Sequence, residues 1–354
     1  IVNVYEPADG WSRRNLVAER GHQALEKYRR EFPQLYSIKY STRNLNLTEM
    51  LRDVDLVIVH EWNSPALVKA IGQHRKIKGQ YCLLFHDTHH RLISAGCEFG
   101  RDYLSGYDGI LAFGEALREM YNQRGYRLNT FTWHEAADIE LFKPLGTPKG
   151  SAPKSAAVWI GNWGDEERSS ELEEYVFAPV TKLNIKTRIY GVRYPTEVKK
   201  RLSLYPFCFG GWSPNYLVPQ IFSEHKVTWH VPRRFYREQL PGIPTIRVFE
   251  ALACGIPLIC APWQDTENLF SVGRDFLIAR DRSEMEEYLA AVLTQPEFAD
   301  QLARSGRSAI LKRHTCRHRI KELFSICRRL GVSGDFRSVE KLTSSENSYS
   351  EEAA

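Results

Sequence analysis

Residues 244–263 read Pro-Thr-Ile-Arg-Val-Phe-Glu-Ala-Leu-Ala-Cys-Gly-Ile-Pro-Leu-Ile-Cys-Ala-Pro-Trp. The first part has the marks of a short helix of two to three turns. Pro244 and Thr245 form its entry, with Thr245 at the N-cap, and Gly255 followed by Pro257 forms its stop. Leu258–Ala261 is then an apolar run without alternation, as a parallel strand covered on both faces requires. A helix delivered straight into such a strand is one unit of a doubly wound α/β fold.

The same unit recurs in both directions. Upstream, strands are expected at Ile1–Tyr5, Asp55–His60, Gln80–Phe85, Gly109–Ala112 and Asn129–Trp133. Helices are expected at Arg13–Arg30, Pro65–His74 and Glu115–Arg124. The stretch Leu145–Ala156, LGTPKGSAPKSA, then has the composition of a linker. A second series follows, with strands at Ala157–Gly161, Lys186–Gly191, Lys226–His230, Leu258–Ala261 and Phe276–Ala279. A closing helix over about Thr315–Leu330 places Ile320, Leu323, Phe324, Cys327 and Leu330 on one face. The expected division is therefore 1–144 as an acceptor-side Rossmann-like domain, 145–156 as linker and 157–312 as a nucleotide-binding domain. The helix 313–330 would pack back on the first domain, and 331–354 is a polar, Ser/Glu-rich tail expected to be disordered.

Bulk properties narrow the function. The net charge of +5 suits anionic ligands, but it is too small and too dispersed for a nucleic-acid binder. The seven cysteines include no C-x-x-C pair, which argues for reduced thiols and against a disulfide framework or structural zinc. No apolar run approaches a membrane span, and no signal peptide opens the chain. The expected location is cytoplasmic, conditional on whatever precedes Ile1. Neither G-x-G-x-x-G nor a P-loop is present, which disfavours NAD or ATP.

Ligands of doubly wound domains sit beyond the carboxyl ends of the strands. The helix after Thr245 offers free N–H groups of Ile246 and its neighbours, together with the first-turn Arg247, to phosphate oxygens. Glu250, one turn on, can accept from two vicinal ribose hydroxyls. The same spacing also fits an ordinary i, i+3 surface ion pair. Gly161, Asn162 and Trp163 follow another strand, where glycine permits close approach of a ligand. Arg168 ends the acidic turn beyond them, and Arg233 follows a third strand, next to Arg234. Trp163, Trp212 and Trp263 lie in expected loops, able to stack on a sugar or base or to wedge between helices.

In the first half, His86-Asp87-Thr88-His89-His90-Arg91 follows one strand and His60-Glu61-Trp62 another, so both should reach the cleft. Trp11 and Arg13 follow the first strand, with Ser12 able to cap the helix behind it. Consecutive His and Asp on a tight turn seldom all point inward, so no metal site is expected.

Five segments resemble glycosyltransferases of the B fold, in particular the glycosyltransferase-1-like family that includes CgeB-type spore-maturation proteins. They are HEAADIELFKP (134–144), WIGNWGDEER (159–168), VPQIFSEHKVTWHVPRR (218–234), RVFEALACGIPLICAPW (247–263) and RHTCRHRIKELF (313–324). The resemblance covers roughly residues 134–330. It implies an enzyme moving a sugar from a nucleoside-diphosphate sugar to an acceptor hydroxyl, with no tightly bound cofactor and no metal. Glu250, Arg247, Ile246, Thr245, Arg168, Gly161, Asn162, Trp163 and Arg233 are then the donor contacts. His86 resembles the sugar-facing His of retaining relatives, with Asp87 beside it.

Gly242 departs from the pattern, because many retaining relatives carry a glutamate eight positions before the ribose glutamate. Both stereochemical outcomes therefore stay open. An inverting enzyme would need a base, for which Glu61, His86 or Asp87 would serve. The acceptor side falls to Trp11, Arg13, His60, Trp62 and His89, with the acceptor itself unspecified. Two other readings stand beside this one: a non-catalytic nucleotide-sugar-binding scaffold, and an epimerase of the same fold. The basic closing helix, Lys312–Arg329, also suits peripheral contact with an anionic membrane.

Overall fold

The computed structural model describes residues 1–95, 100, 102–146, 155–164 and 166–332, so most of the expected linker and nearly all of the tail lie outside the described residues. The strands are β1 (Val4–Pro7), β2 (Ser37–Tyr40), β3 (Leu56–His60), β4 (Cys82–Asp87), β5 (Gly109–Ala112), β6 (Asn129–Thr132), β7 (Ala157–Ile160), β8 (Thr187–Tyr190), β9 (Phe207–Phe209), β10 (Val227–His230), β11 (Leu258–Cys260) and β12 (Leu277–Ile278). Every pairing among them is parallel.

The first half contains the sheet β3-β4-β5-β6 and the pair β1-β2, and the second half the sheet β9-β8-β7-β10-β11-β12. Strand order in the second sheet reverses between β7 and β10. That is the switch point at which a doubly wound sheet opens a crevice for a ligand.

Period-2 alternation explains why the strands read as unbroken apolar runs. In β4, Leu83 and Phe85 face a core with Val68, Ile71 and Leu117, whereas Cys82 and Leu84 face Leu323, Ile326 and Cys327 of the closing helix, Cys316–Arg329. In β7, Ala157 and Trp159 enter one core, and Val158 and Ile160 enter the other. The helix Ile246–Ala253 supplies Val248, Phe249, Ala251 and Leu252 to that second core.

Leu323 thus covers the outer face of the first sheet although it comes from the far end of the chain. Leu323→Ala should cost about 2–5 kcal/mol, read as a lower denaturation midpoint with an unchanged m-value.

Several local expectations are corrected. The single helix expected over Arg13–Arg30 is two, Trp11–Arg20 and Gln23–Glu31, broken at Gly21 with φ 73°. Ser12 lies inside the first turn and caps nothing, because the helix begins one residue earlier behind Gly10. The first strand starts at Val4 rather than Ile1. Strands β2 and β9 were not expected: β2 is half-exposed and carries Lys39, and β9 has three residues. On the closing helix Ile320 is 39% exposed, and Arg319 and Ile326 are buried in its place. The six described cysteines are all free thiols. No described helix is long and apolar enough to cross a membrane.

Candidate active site

The switch point is held by Arg168. Its Nε and Nη2 donate to the Asn162 carbonyl at 3.2 and 2.7 Å, and its Nη1 donates to the Val231 carbonyl at 3.0 Å. One guanidinium therefore ties the end of β7 to the end of β10. Burial, then the charge of Arg233, lowers its pKa to about 10, which still leaves it cationic at neutral pH. Gly161 stands just before this tie, and a Cβ there would lie 2.4 Å from the Trp159 ring. Arg233 pairs with Glu167 at 2.5 Å, and His90 from the first half approaches the same carboxylate at 3.6 Å. Arg234 points elsewhere, bonded to Glu171 and Ser170.

Thr245 occupies the N-cap position of Ile246–Ala253, but its hydroxyl makes no cap. It lies 3.3 Å from His230 Nε2 instead. The helix therefore presents first-turn amides without a side-chain acceptor, beside Arg247. The i, i+3 ion pair that the spacing allows does form, but it is buried rather than on the surface, because Glu250 is only 2% exposed. Its Oε1 accepts from Asn215 Nδ2 at 2.7 Å. Its Oε2 forms an ion pair with Arg247 Nη1 at 2.6 Å, without the alignment of a hydrogen bond. Burial raises the Glu250 pKa, opposed by Arg247 and Asn215. Asn215 also accepts from Arg247 Nη2 at 3.3 Å. It opens the short 3-10 turn Asn215–Leu217 after Pro214, where no periodicity marks it.

Gly242 has φ 88°, and a Cβ there would lie 2.0 Å from Thr266 Oγ1. A glutamate at this position is excluded by backbone and by space. The loop tryptophans behave unevenly. Trp163 is partly buried, stacked at 6.2 Å on Phe177 and in contact with Tyr194, so one side of it packs against the core. Trp263 is 4% exposed against His230 and Phe276.

On the first sheet, β3 and β4 pair His60 with His86. Their rings meet edge-on at 5.2 Å, and Trp133 contacts His86 at 4.8 Å. Glu61 is 1% exposed, with Oε2 2.5 Å from His60 Nδ1 and Oε1 accepting from Thr88 at 3.4 Å. Burial lowers the pKa of His86, and of His89, to about 3, so both imidazoles are neutral.

Asp87 does not orient His86. Consecutive strand residues face opposite sides, and Asp87 is fully buried beneath Tyr121, whose hydroxyl donates to it at 2.6 Å. Trp62 is 58% exposed, edged by His89 at 4.9 Å and overlaid by Arg91 at 4.2 Å. Trp11 and Arg13 make no hydrogen bond or ring contact with this cluster among the described residues. No described group of three His, Cys, Asp or Glu is arranged to hold a metal ion.

The two halves touch across the cleft. His90 stacks on Phe235 at 4.3 Å, and His134 Nε2 lies 2.7 Å from Glu267 Oε2. Glu135, next to His134, was not singled out by any motif. Burial raises its pKa to about 7, with His60, Glu250 and Glu61 as its charged neighbours.

Residues 168–325 match the family described as glycosyl transferase-like. Among solved structures, Anabaena HepE in complex with UDP is similar over 93% of this chain and 100% of its own, at 12% identity and TM-score 0.62. Sucrose-phosphate synthase from Thermosynechococcus elongatus is similar over 85% and 83%, at 14% identity and TM-score 0.59. The DNA-modifying β-glucosyltransferase, studied with and without uridine diphosphoglucose, is similar over 88% and 94%, at 14% identity and TM-score 0.58. No curated protein matches the chain by sequence.

The fold is that of the GT-B glycosyltransferases, two Rossmann-like domains, and residues 168–325 are similar to the glycosyl transferase-like family. The CgeB-type subgroup is not distinguished by these likenesses.

Proposed function

We propose that the protein transfers the sugar of a UDP-sugar to an acceptor hydroxyl, using Arg247, Glu250 and Asn215 to hold the nucleoside diphosphate. The observation that carries this reading is the buried Glu250 carboxylate, paired with Arg247 one turn into a helix whose N-terminus has no side-chain cap. Amides and arginine suit the diphosphate, and the carboxylate suits the ribose diol. Uridine is favoured because similar structures were solved with UDP or a UDP-sugar.

As the glycosidic bond breaks, charge grows on the departing diphosphate. Arg168, Arg233, Arg247 and the helix amides form a preorganised positive lining for it, which makes a divalent ion dispensable. On the facing side, neutral His86 borders the sugar, and Trp62 with His60 and His89 offers a surface to the acceptor.

The test is UDP release from a panel of UDP-sugars, beside GDP-, ADP- and TDP-sugars, with and without a chelator. Turnover confined to a UDP-sugar and unchanged by chelation is expected. Absence of turnover with every donor, slow hydrolysis included, would sink the enzyme reading. Loss on chelation would sink metal independence.

A further inference from the structure

The segment 133–137 follows β6, runs beside the start of the closing helix and is pinned along its length. Trp133 Nε1 donates to the Arg319 carbonyl at 2.8 Å, His134 meets Glu267, and Ala137 N donates to the His314 carbonyl at 2.9 Å. Glu135 lies between these pins and is half-buried. Among the described residues its carboxylate has no hydrogen-bond or ion-pair partner. The titratable groups around it are His60 and Glu61 from the end of β3, Glu250 from the donor helix and Cys316 from the start of the closing helix. Glu135 therefore lies beside the His134–Glu267 contact between the halves and two residues from Trp133, which touches His86, on backbone held by hydrogen bonds at both ends.

The other acidic groups at the cleft are committed elsewhere. Glu61 is enclosed with His60 and Thr88, and Asp87 lies under Tyr121. Glu167 holds Arg233, and Glu267 holds His134 and accepts from the Glu115 amide at 2.9 Å. His86, titrating near 3, is a weak base at neutral pH. Gly242 leaves no carboxylate where a retaining mechanism would place one.

We propose that Glu135 is the general base of the transfer, which makes the reaction a single displacement with inversion at the anomeric carbon. The acceptor oxygen bonds to C1 as its proton passes to the Glu135 carboxylate. The bond from C1 to the diphosphate oxygen breaks, and its electron pair leaves with UDP. This rests on the transferase reading above.

A base titrating near 7 is ionised above that pH and protonated below it. The rate should therefore fall about tenfold per pH unit below pH 7 and level off above it. Asp87 titrates in the same range, so a variant is needed to assign the limb.

The direct test uses water as acceptor and UDP-glucose, an α-glucoside, as donor, substituting any other UDP-sugar that the panel shows to be hydrolysed. The anomer first released is read by proton NMR before mutarotation. The unmodified protein should release the β-anomer. Glu135→Gln should lower turnover by about 10²–10⁴-fold, erase the acid limb and leave UDP binding within a few-fold. Release of the α-anomer would overturn the inference while leaving the transferase intact, and needs no variant. So would a Glu135→Gln protein that keeps its rate, or that keeps the acid limb at a lower rate. No turnover of any donor would remove both readings together.

Discussion

Arg168→Met should lower kcat/KM for a UDP-sugar by about 10²–10³-fold, the loss seen when one preorganised donor is removed from developing charge. The substitution keeps the length of the stem and removes the cation, so packing on Trp159 largely survives. The carbonyls of Asn162 and Val231 lose their donors, and orphaned buried carbonyls cost about 1–3 kcal/mol each. The melting temperature should fall by several degrees. Arg168→Lys should not rescue the rate, because a single ammonium cannot span two strand ends and still face a phosphate. Full activity in the methionine variant would mean that the tie between β7 and β10 is structural alone.

The second large effect concerns Glu250. Its buried carboxylate has a raised pKa, so its charge opposes folding even with Arg247 and Asn215 nearby. Replacing it with alanine removes that penalty. Arg247, whose side chain is 22% exposed, can then turn to water. The unliganded Glu250→Ala protein should melt close to the unmodified one. Two charge-assisted hydrogen bonds to the ribose would be lost, at about 1.5–3 kcal/mol each, which weakens UDP binding by about a hundredfold or more. A variant that fails to fold but still binds UDP when stabilised would point to a structural carboxylate.

Most of the architecture was legible because parallel strands buried on both faces leave an unmistakable apolar record. DLVIV, YCLLF and LICA each became strands, and Gly255 with Pro257 ended the donor helix. Strand β2 escaped because Ser37, Lys39 and Tyr40 have one wet face and too few apolar residues to register.

The site was legible where one short element carries both partners, as Arg247 and Glu250 do. It was not where the partner comes from a distant element. Asn215 is 35 residues from the carboxylate it binds, and nothing local marks it. Asp87 adjoins His86 in sequence but not in space, because adjacent strand residues face opposite sides. Glu135 lies in HEAADIELFKP, where nothing in the spacing marks it apart from its neighbours, and its environment comes from burial between the two halves.

The central claim is that the Ile246–Ala253 helix holds a nucleoside diphosphate through Glu250. A calorimetric titration with UDP on the unmodified protein and on Glu250→Ala tests it most directly. Saturable one-site binding is expected in the first and at least hundredfold weaker binding in the second, with both proteins folded. Equal affinity in the two, or no binding of UDP to the unmodified protein, would contradict it.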